Sequence, residues 1–156
     1  MPTKETVGSR EKHKVILAAA LTLFGHYGYR RTSIDDIAQE ADIAKGTVYL
    51  YFKSKEAIFR ALSQQLLDQV LLAAEEAVRA ENTIEPRLRR LIEAKFGYFF
   101  DLMHRSAHVR ELIDAKNELC ADLFAQADRR YAHLLTKTIA TAVAAKELQV
   151  DTVGLD

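Results

Sequence analysis

The apolar residues in the longer segments of this chain recur at intervals of three and four. Such spacing places an apolar stripe along one side of a helix, and no run shows the strict alternation that is typical of a half-buried strand. Proline, which interrupts helices, occurs only at Pro2 and Pro86. The sequence therefore predicts an all-α fold.

The overall composition does not identify a charged partner. The chain has 156 residues, of which 49% are apolar, enough for the core of one large domain or two small ones. Lys plus Arg and Asp plus Glu both total 22, so the net charge favours neither nucleic acid, nor a membrane, nor an acidic substrate. A charged partner has to be inferred from local clusters.

The sequence shows no sign of secretion or membrane insertion. Cys120 is the single cysteine, which excludes an internal disulfide, and the opening residues are polar, unlike a signal peptide. No segment approaches the roughly 20 apolar residues of a membrane span. We therefore expect a cytoplasmic protein with no membrane partner.

The helical pattern changes at residue 55. A first amphipathic helix is predicted over residues 10–27, after a disordered segment 1–9, and only short helices follow up to residue 55. Residues 1–60 carry 10 basic and 7 acidic side chains, whereas the remainder carries 12 and 15. We expect two domains, residues 1–55 and residues 56–156.

The second domain is predicted to be a bundle of longer helices. One of about 25 residues begins near residue 56, and the next begins at Pro86, whose fixed φ and missing N–H suit a first helical turn. A short helix near residues 109–115 and a long helix over residues 119–146 complete the pattern.

Two short helices precede this bundle. Ser33 followed by Asp36 is typical of a capping box, in which the serine oxygen accepts the amide three residues on. The box predicts a helix over residues 34–41, and residues 42–43 break the pattern before a second short helix begins at Ala44. Two short helices joined by a tight turn form a helix-turn-helix, whose second helix is the recognition helix.

The two sides of the recognition helix differ in chemistry. Ala44, Val48 and Phe52 share the side that should pack inward. The outward side carries groups that can donate to phosphate oxygens or contact a thymine methyl, namely Lys45, Thr47, Tyr49 and Tyr51. Such a surface fits a negatively charged duplex.

Glycine and lysine residues accompany the outward side. Gly46 indicates a close approach to the target, because glycine weakens a helix and needs another reason to be there. Lys53 and Lys55 add positive charge at the start of the next helix. We expect the side chains of Tyr49 and Lys55 to point to solvent. The alternative to a DNA-binding surface is a buried aromatic cluster in an ordinary helical bundle.

The stretch TSIDDIAQEADIAKGTVYLYFKSKEAIF, residues 32–59, closely resembles the DNA-binding signature of the tetracycline-repressor (TetR) family of bacterial transcription regulators. The resemblance implies a set of DNA-contacting residues, which are Ser33, Lys45, Gly46, Thr47, Tyr49, Tyr51 and Lys55. Ser33 is implied to meet phosphate, and Lys45 and Gly46 to approach base edges. Beyond residue 60 the chain resembles the family only as a helical bundle.

The resemblance also implies a function. Such regulators are homodimers that place two recognition helices in successive major grooves of double-stranded operator DNA, and a small-molecule effector changes the separation of the helices. We expect a ligand-responsive repressor that a small apolar effector releases from its operator. A helical protein–protein adaptor or anti-regulator without its own operator is the alternative. No enzyme motif is present, so neither catalytic residues nor a cofactor are expected.

Two features depart from the family pattern. Ala44 stands where many members have a serine or threonine that caps the recognition helix, so a side-chain cap should be absent or come from elsewhere. The chain stops at Asp156, whereas the family usually continues with two further helices that form the dimer interface. We therefore expect a C-terminally short fragment with weakened dimerisation.

Candidate ligand and metal residues lie in the second domain. An effector pocket could be lined by large side chains at helical spacing, which are Phe96, Phe99, Phe100, Met103, Phe124 and Tyr131. Such a stripe at helical spacing is more often plain core packing. His104 and His108 lie four residues apart, which suits a metal, but they fall at a predicted helix boundary without a third ligand. No metal site is expected.

Overall fold

The computed structural model describes residues 4–80, 83–105 and 107–148, apart from the side chains of residues 4–7 and 98–105. These ranges contain helices and no strand, which confirms the predicted all-α fold. The helices are α1 (Lys4–Tyr27), α2 (Ile34–Glu40), α3 (Lys45–Tyr51), α4 (Lys55–Ala80), α5 (Ile84–Arg105), α6 (Val109–Leu119) and α7 (Ala121–Ala144). None of the described helices combines the length and the apolar character that a membrane crossing needs.

The helices form two compact units. Among the described residues, the first unit contains those up to residue 66 together with those between 102 and 123, and the second unit contains the remainder. Helix α4 contributes its beginning to the first unit and its later turns to the second. The domain division expected at residue 55 stays a prediction.

The core of the first unit is built on α1. Ile16, Ala20 and Phe24 are buried at spacings of four along one side of this helix. The other helices of the unit add buried residues, which are Ile37 and Ala38 of α2, Val48 of α3, Ile58 and Phe59 of α4, and Leu112 and Ala115 of α6. Apolar packing on α1 thus holds the two short helices in place.

The core of the second unit contains a polar connection between α5 and α7. Leu91 of α5 and Tyr131 of α7 are buried, and the Tyr131 hydroxyl donates to the Leu91 carbonyl at 2.8 Å. The Lys95 ammonium lies 4.4 Å from the centroid of the Tyr131 ring and 2.7 Å from a carboxylate oxygen of Asp128. These contacts fix the orientation of the Tyr131 ring within the unit.

The structure corrects the predicted start of the first helix. Helix α1 begins at Lys4 rather than near residue 10, so the expected disorder of residues 1–9 does not hold for residues 4–9, and residues 1–3 lie outside the described residues. Residues 8–14 are all exposed. This part of α1 therefore has no apolar stripe that periodicity could detect.

The helices predicted near residues 109–115 and over residues 119–146 are α6 and α7, but the boundary between them lies later than expected. Helix α6 ends at Leu119 and α7 begins at Ala121, with Cys120 between them at φ −132° and ψ 11°. Arg60 of α4 stabilises the break, because its guanidinium donates to the Leu119 carbonyl and to both carboxylate oxygens of Asp122, at 2.8 and 2.7 Å. A carbonyl at a helix end lacks an intrahelical partner, and Arg60 supplies one.

Candidate nucleic-acid interface

Helix α2 begins with the predicted capping box. Ser33 Oγ accepts the Asp36 N–H at 3.1 Å, and Asp36 Oδ2 accepts the Ser33 N–H at 2.8 Å. The Ser33 hydroxyl, which lies 2.7 Å from the same carboxylate oxygen, and then the Ser33 amide hold the pKa of Asp36 below its usual value. Ser33, a predicted phosphate contact, is therefore already used to cap a helix in the free protein.

A tight turn sets the direction of α3. Asp42 adopts a φ of 52°, in the left-handed region, and the Ile43 N–H donates to the Ala38 carbonyl at 3.0 Å. Ala44 has an extended backbone and is the N-cap of α3, with no side-chain hydrogen bond. The predicted absence of a side-chain cap at Ala44 is confirmed.

Helix α3 buries one side and exposes the other. Val48 is fully buried and Phe52 nearly so, which confirms the predicted inward side. Ala44 was expected beside them but is exposed, because it belongs to the extended N-cap and not to the helix. The predicted outward side chains are exposed at Lys45 and Tyr49 and half-buried at Thr47 and Tyr51.

The most exposed large apolar side chain of α3 is one that the sequence analysis missed. Leu50 is 83% exposed, next to Tyr49 at 48%. It lies two positions after the buried Val48, almost opposite to it on the helix, and this position was the available signal. An outward leucine can contact a thymine methyl, so Leu50 joins the candidate interface.

Gly46 and Lys45 occupy the first turn of α3. A Cβ added at Gly46 would meet nothing within 4 Å, so the fold itself does not require a glycine there. The Lys45 ammonium pairs with Asp35 of α2 at 2.8 Å, and this hydrogen bond raises the pKa of Lys45. Exposed pairs of this kind are weak, so a DNA phosphate could replace Asp35.

The structure places Lys55 differently from the prediction. Its ammonium group donates to the carbonyls of Tyr29 and Thr32, both at 2.8 Å, and lies 4.4 Å from the centroid of the Tyr29 ring. The expectation that this side chain points to solvent is therefore wrong. A phosphate contact by Lys55 stays a prediction, and it would require the ammonium group to leave these carbonyls.

Aromatic packing holds the same turn. The ring centroid of Tyr29 lies 5.4 Å from that of Phe24 and 5.1 Å from that of Phe59. Burial is the main cause that raises the pKa of the Tyr29 hydroxyl, and the negative charge of Glu56 raises it further. The segment that joins α1 to α2 is thus anchored to both α1 and α4.

The candidate pocket residues differ in their burial. Phe96 is 55% exposed, Phe124 is half-buried, and Tyr131 is buried with its hydroxyl bonded to Leu91. The side chains of Phe99, Phe100, Met103 and His104 lie outside the described residues. His108 precedes the first residue of α6, as the predicted helix boundary requires.

The fold and the exposed side of α3 define a helix-turn-helix domain. Residues 16–62 match the model of the family described as bacterial regulatory proteins, tetR family. This segment is therefore similar to the DNA-binding region of the TetR family of bacterial regulators. The resemblance seen in residues 32–59 is confirmed.

Relatives and solved structures extend the comparison. The fatty acid metabolism regulator protein of Bacillus subtilis strain 168 is 33% identical over 88 residues, 56% of this chain and 45% of that protein. The HTH-type transcriptional activator FasR of Mycolicibacterium smegmatis is 30% identical over 103 residues, 66% of this chain and 45% of that protein. A crystal structure of FadR from Bacillus subtilis in complex with stearoyl-CoA covers 92% of this chain and 75% of that one, with a TM-score of 0.62 and 26% identity. The chain thus spans less than half the length of the two curated relatives.

Proposed function

We propose that this chain is the DNA-binding and part of the regulatory region of a ligand-responsive transcription regulator. It binds double-stranded operator DNA as a homodimer through α3. While bound to the operator, the protein represses transcription. A small effector with an apolar part releases it from the operator. The DNA-contacting residues are Lys45, Gly46, Thr47, Tyr49 and Tyr51, with Leu50 added and with Ser33 and Lys55 near the phosphates.

The observation that carries the proposal is the division of α3 into two sides. Val48 and Phe52 anchor the helix inward, while Tyr49 and Leu50 stand out from the surface beside Lys45. A helix that exposes an aromatic ring and a leucine loses apolar burial in the free protein. Contacts to base edges and thymine methyl groups in a major groove would recover it.

The relatives support an effector with an apolar part. The Bacillus subtilis relative is named for fatty acid metabolism, and the FadR structure holds stearoyl-CoA, whose acyl chain is apolar. In this chain the candidate lining, which includes Phe96 and Phe124, is largely apolar. FasR, in contrast, is named an activator.

Selection of bound duplexes from a random pool tests the proposal. We expect a two-fold symmetric site whose half-sites lie one helical turn, about 34–36 Å, apart. Tyr49→Ala and Leu50→Ala should each weaken binding to that site by roughly tenfold, in line with about 1.5 kcal/mol for the burial of a large apolar side chain. Leu72→Ala is the matched control, because Leu72 is also an exposed leucine but lies on α4 in the second unit. Failure to enrich any duplex, with retained binding to a partner protein, would favour the adaptor instead.

A further inference from the structure

The turn between α1 and α2 is held by two charged side chains that lie outside the helix-turn-helix. The ammonium group of Lys55 in α4 donates hydrogen bonds to two carbonyl groups of the turn, those of Tyr29 and Thr32. Glu111 of α6 binds a backbone amide of the turn, because its Oε1 accepts the N–H of Arg30. A cation therefore holds the acceptors of this turn, and an anion holds a donor.

Gly28 shows how closely the carboxylate approaches the turn. A Cβ built at Gly28 would lie 2.6 Å from Glu111 Oε2 and 3.1 Å from Oε1. Gly28 is buried and has a φ of +84°, in the region that favours glycine. Glycine at this position thus permits both the backbone of the turn and the carboxylate that rests on it. Glu111 also lies in the first turn of α6, where the helix dipole favours an anion.

The position of this turn determines where α2 begins. Thr32, a buried residue at the end of the turn, donates its hydroxyl to the Gly28 carbonyl at 2.8 Å. Ser33 follows as the N-cap of α2. The side chains of Arg30 and Arg31 are exposed on the turn itself. A displacement of the turn would therefore move two cations and the start of α2 together.

We propose that Glu111 is a positioning residue for operator binding. By holding the Arg30 amide, it sets the turn and hence the placement of Arg30, Arg31 and Ser33 against the DNA backbone, without touching DNA itself. A shift of α6 is then transmitted to the operator-binding surface through one carboxylate. This inference rests on the proposed function and names a regulatory contact within it.

The direction of the change in operator affinity distinguishes a positioning role of Glu111 from a simple electrostatic effect of its charge. Removing a negative charge near a DNA-binding surface should by itself strengthen binding. Loss of a positioning contact should weaken it. Asp114, also on α6 and exposed, provides the matched control, because Asp114→Ala removes the same charge from the same helix without touching the turn.

Operator affinity of the whole chain, measured on the duplex selected by the wild-type protein, tests the inference. We expect Glu111→Ala to weaken binding about tenfold, the equivalent of one charged hydrogen bond. Glu111→Gln keeps the shape and one acceptor oxygen, so a loss of roughly threefold is expected, since neutral hydrogen bonds are about half as strong. Asp114→Ala and Asp114→Asn should bind as tightly as the wild type or slightly more tightly. All measurements are made where circular dichroism shows every variant to be fully folded.

Hydrogen exchange supplies a readout that a general loss of stability would not move. The Arg30 amide should exchange faster in Glu111→Ala than in the wild type, while the amides in the middle of α4 should keep their rates. If Glu111→Ala binds the operator as tightly as Asp114→Ala, or if exchange accelerates equally throughout the first unit, Glu111 is not a positioning residue. If the wild-type chain selects no duplex, the proposed function itself fails, and this inference fails with it.

Discussion

Replacing Lys55 by alanine should destabilise the protein and not merely weaken its binding to DNA. The ammonium group of Lys55 joins the start of α4 to the carbonyls of Tyr29 and Thr32. A cation in the first turn of a helix interacts unfavourably with the helix dipole. The presence of a lysine at this position is therefore better explained by its hydrogen bonds to these carbonyls than by a contribution to α4. The substitution leaves both oxygens without their donor.

The magnitude follows from the contacts. Two hydrogen bonds from a charged donor, each worth roughly 1.5 kcal/mol at the low end of the usual range, and a cation–π contact of about 0.5 kcal/mol add to about 3.5 kcal/mol. Lys55 is only half-buried, and water can reach part of the exposed carbonyl surface. We therefore expect a loss of about 2 kcal/mol, which lowers the melting temperature of a chain of this size by about 4–8 °C.

Thermal and urea unfolding followed by circular dichroism measure this loss, and Lys53→Ala is the control. Lys53 is exposed and lies two residues away, so its removal changes the net charge equally. The salt dependence of operator binding is measured on both variants. The reasoning is refuted if Lys55→Ala melts with Lys53→Ala while its salt slope falls by about one, because that result describes a free lysine bound to one phosphate.

Three further predictions concern the first unit. Val48→Ala should reduce the free energy of unfolding by about 2 kcal/mol, since Val48 is fully buried, and urea titration should show the same fall in the midpoint for tyrosine fluorescence and for helicity. Asp42→Gly should increase the free energy of unfolding by about 0.5–1 kcal/mol, because glycine adopts the φ of 52° without steric cost; destabilisation would show that the Asp42 side chain is needed in the turn. The Arg60 guanidinium lowers the pKa of Asp122 from its usual 3.8 to about 2, so this carboxylate stabilises the fold above pH 4 and the contribution is lost as the pH falls towards 2. Asp122→Asn should therefore show a smaller loss of stability between pH 4 and pH 2 than the wild type, and an identical loss would disprove the role of the pair.

Local signals predicted most of the first unit. The capping box at Ser33, the buried positions Val48 and Phe52 and the missing cap at Ala44 depend on residues within four positions of each other, and all four are seen in the structure. Leu50 was within reach of the same reasoning. A leucine, however, carries no polar group or aromatic ring that would mark it as a DNA contact.

Contacts between distant parts of the chain could not be predicted. The partners of Lys55 lie more than 20 residues away, and Glu111 is 81 positions from Arg30. Periodicity describes which side of a helix is apolar and carries no information on which charged side chain meets which turn. The exact position of the break between α6 and α7, at Cys120, has the same origin, since Arg60 of another helix stabilises it. Helix α5 begins at Ile84, before Pro86, because proline is tolerated throughout the first turn, where amides lack intrahelical acceptors.

The first unit is discontinuous in sequence, and this matters for anyone who exchanges DNA-binding heads between regulators. A cut after residue 66 separates α1, α2, α3 and the beginning of α4 from α6, although Leu112, Ala115 and Cys120 are buried within the same unit. A head transplanted on the N-terminal segment alone would meet a foreign α6, whose residue at the position of Glu111 need not suit a turn with Gly28. Hybrids that carry residues 107–123 along with the head should preserve the turn. The natural exchangeable module of this protein is therefore composed of two pieces of chain.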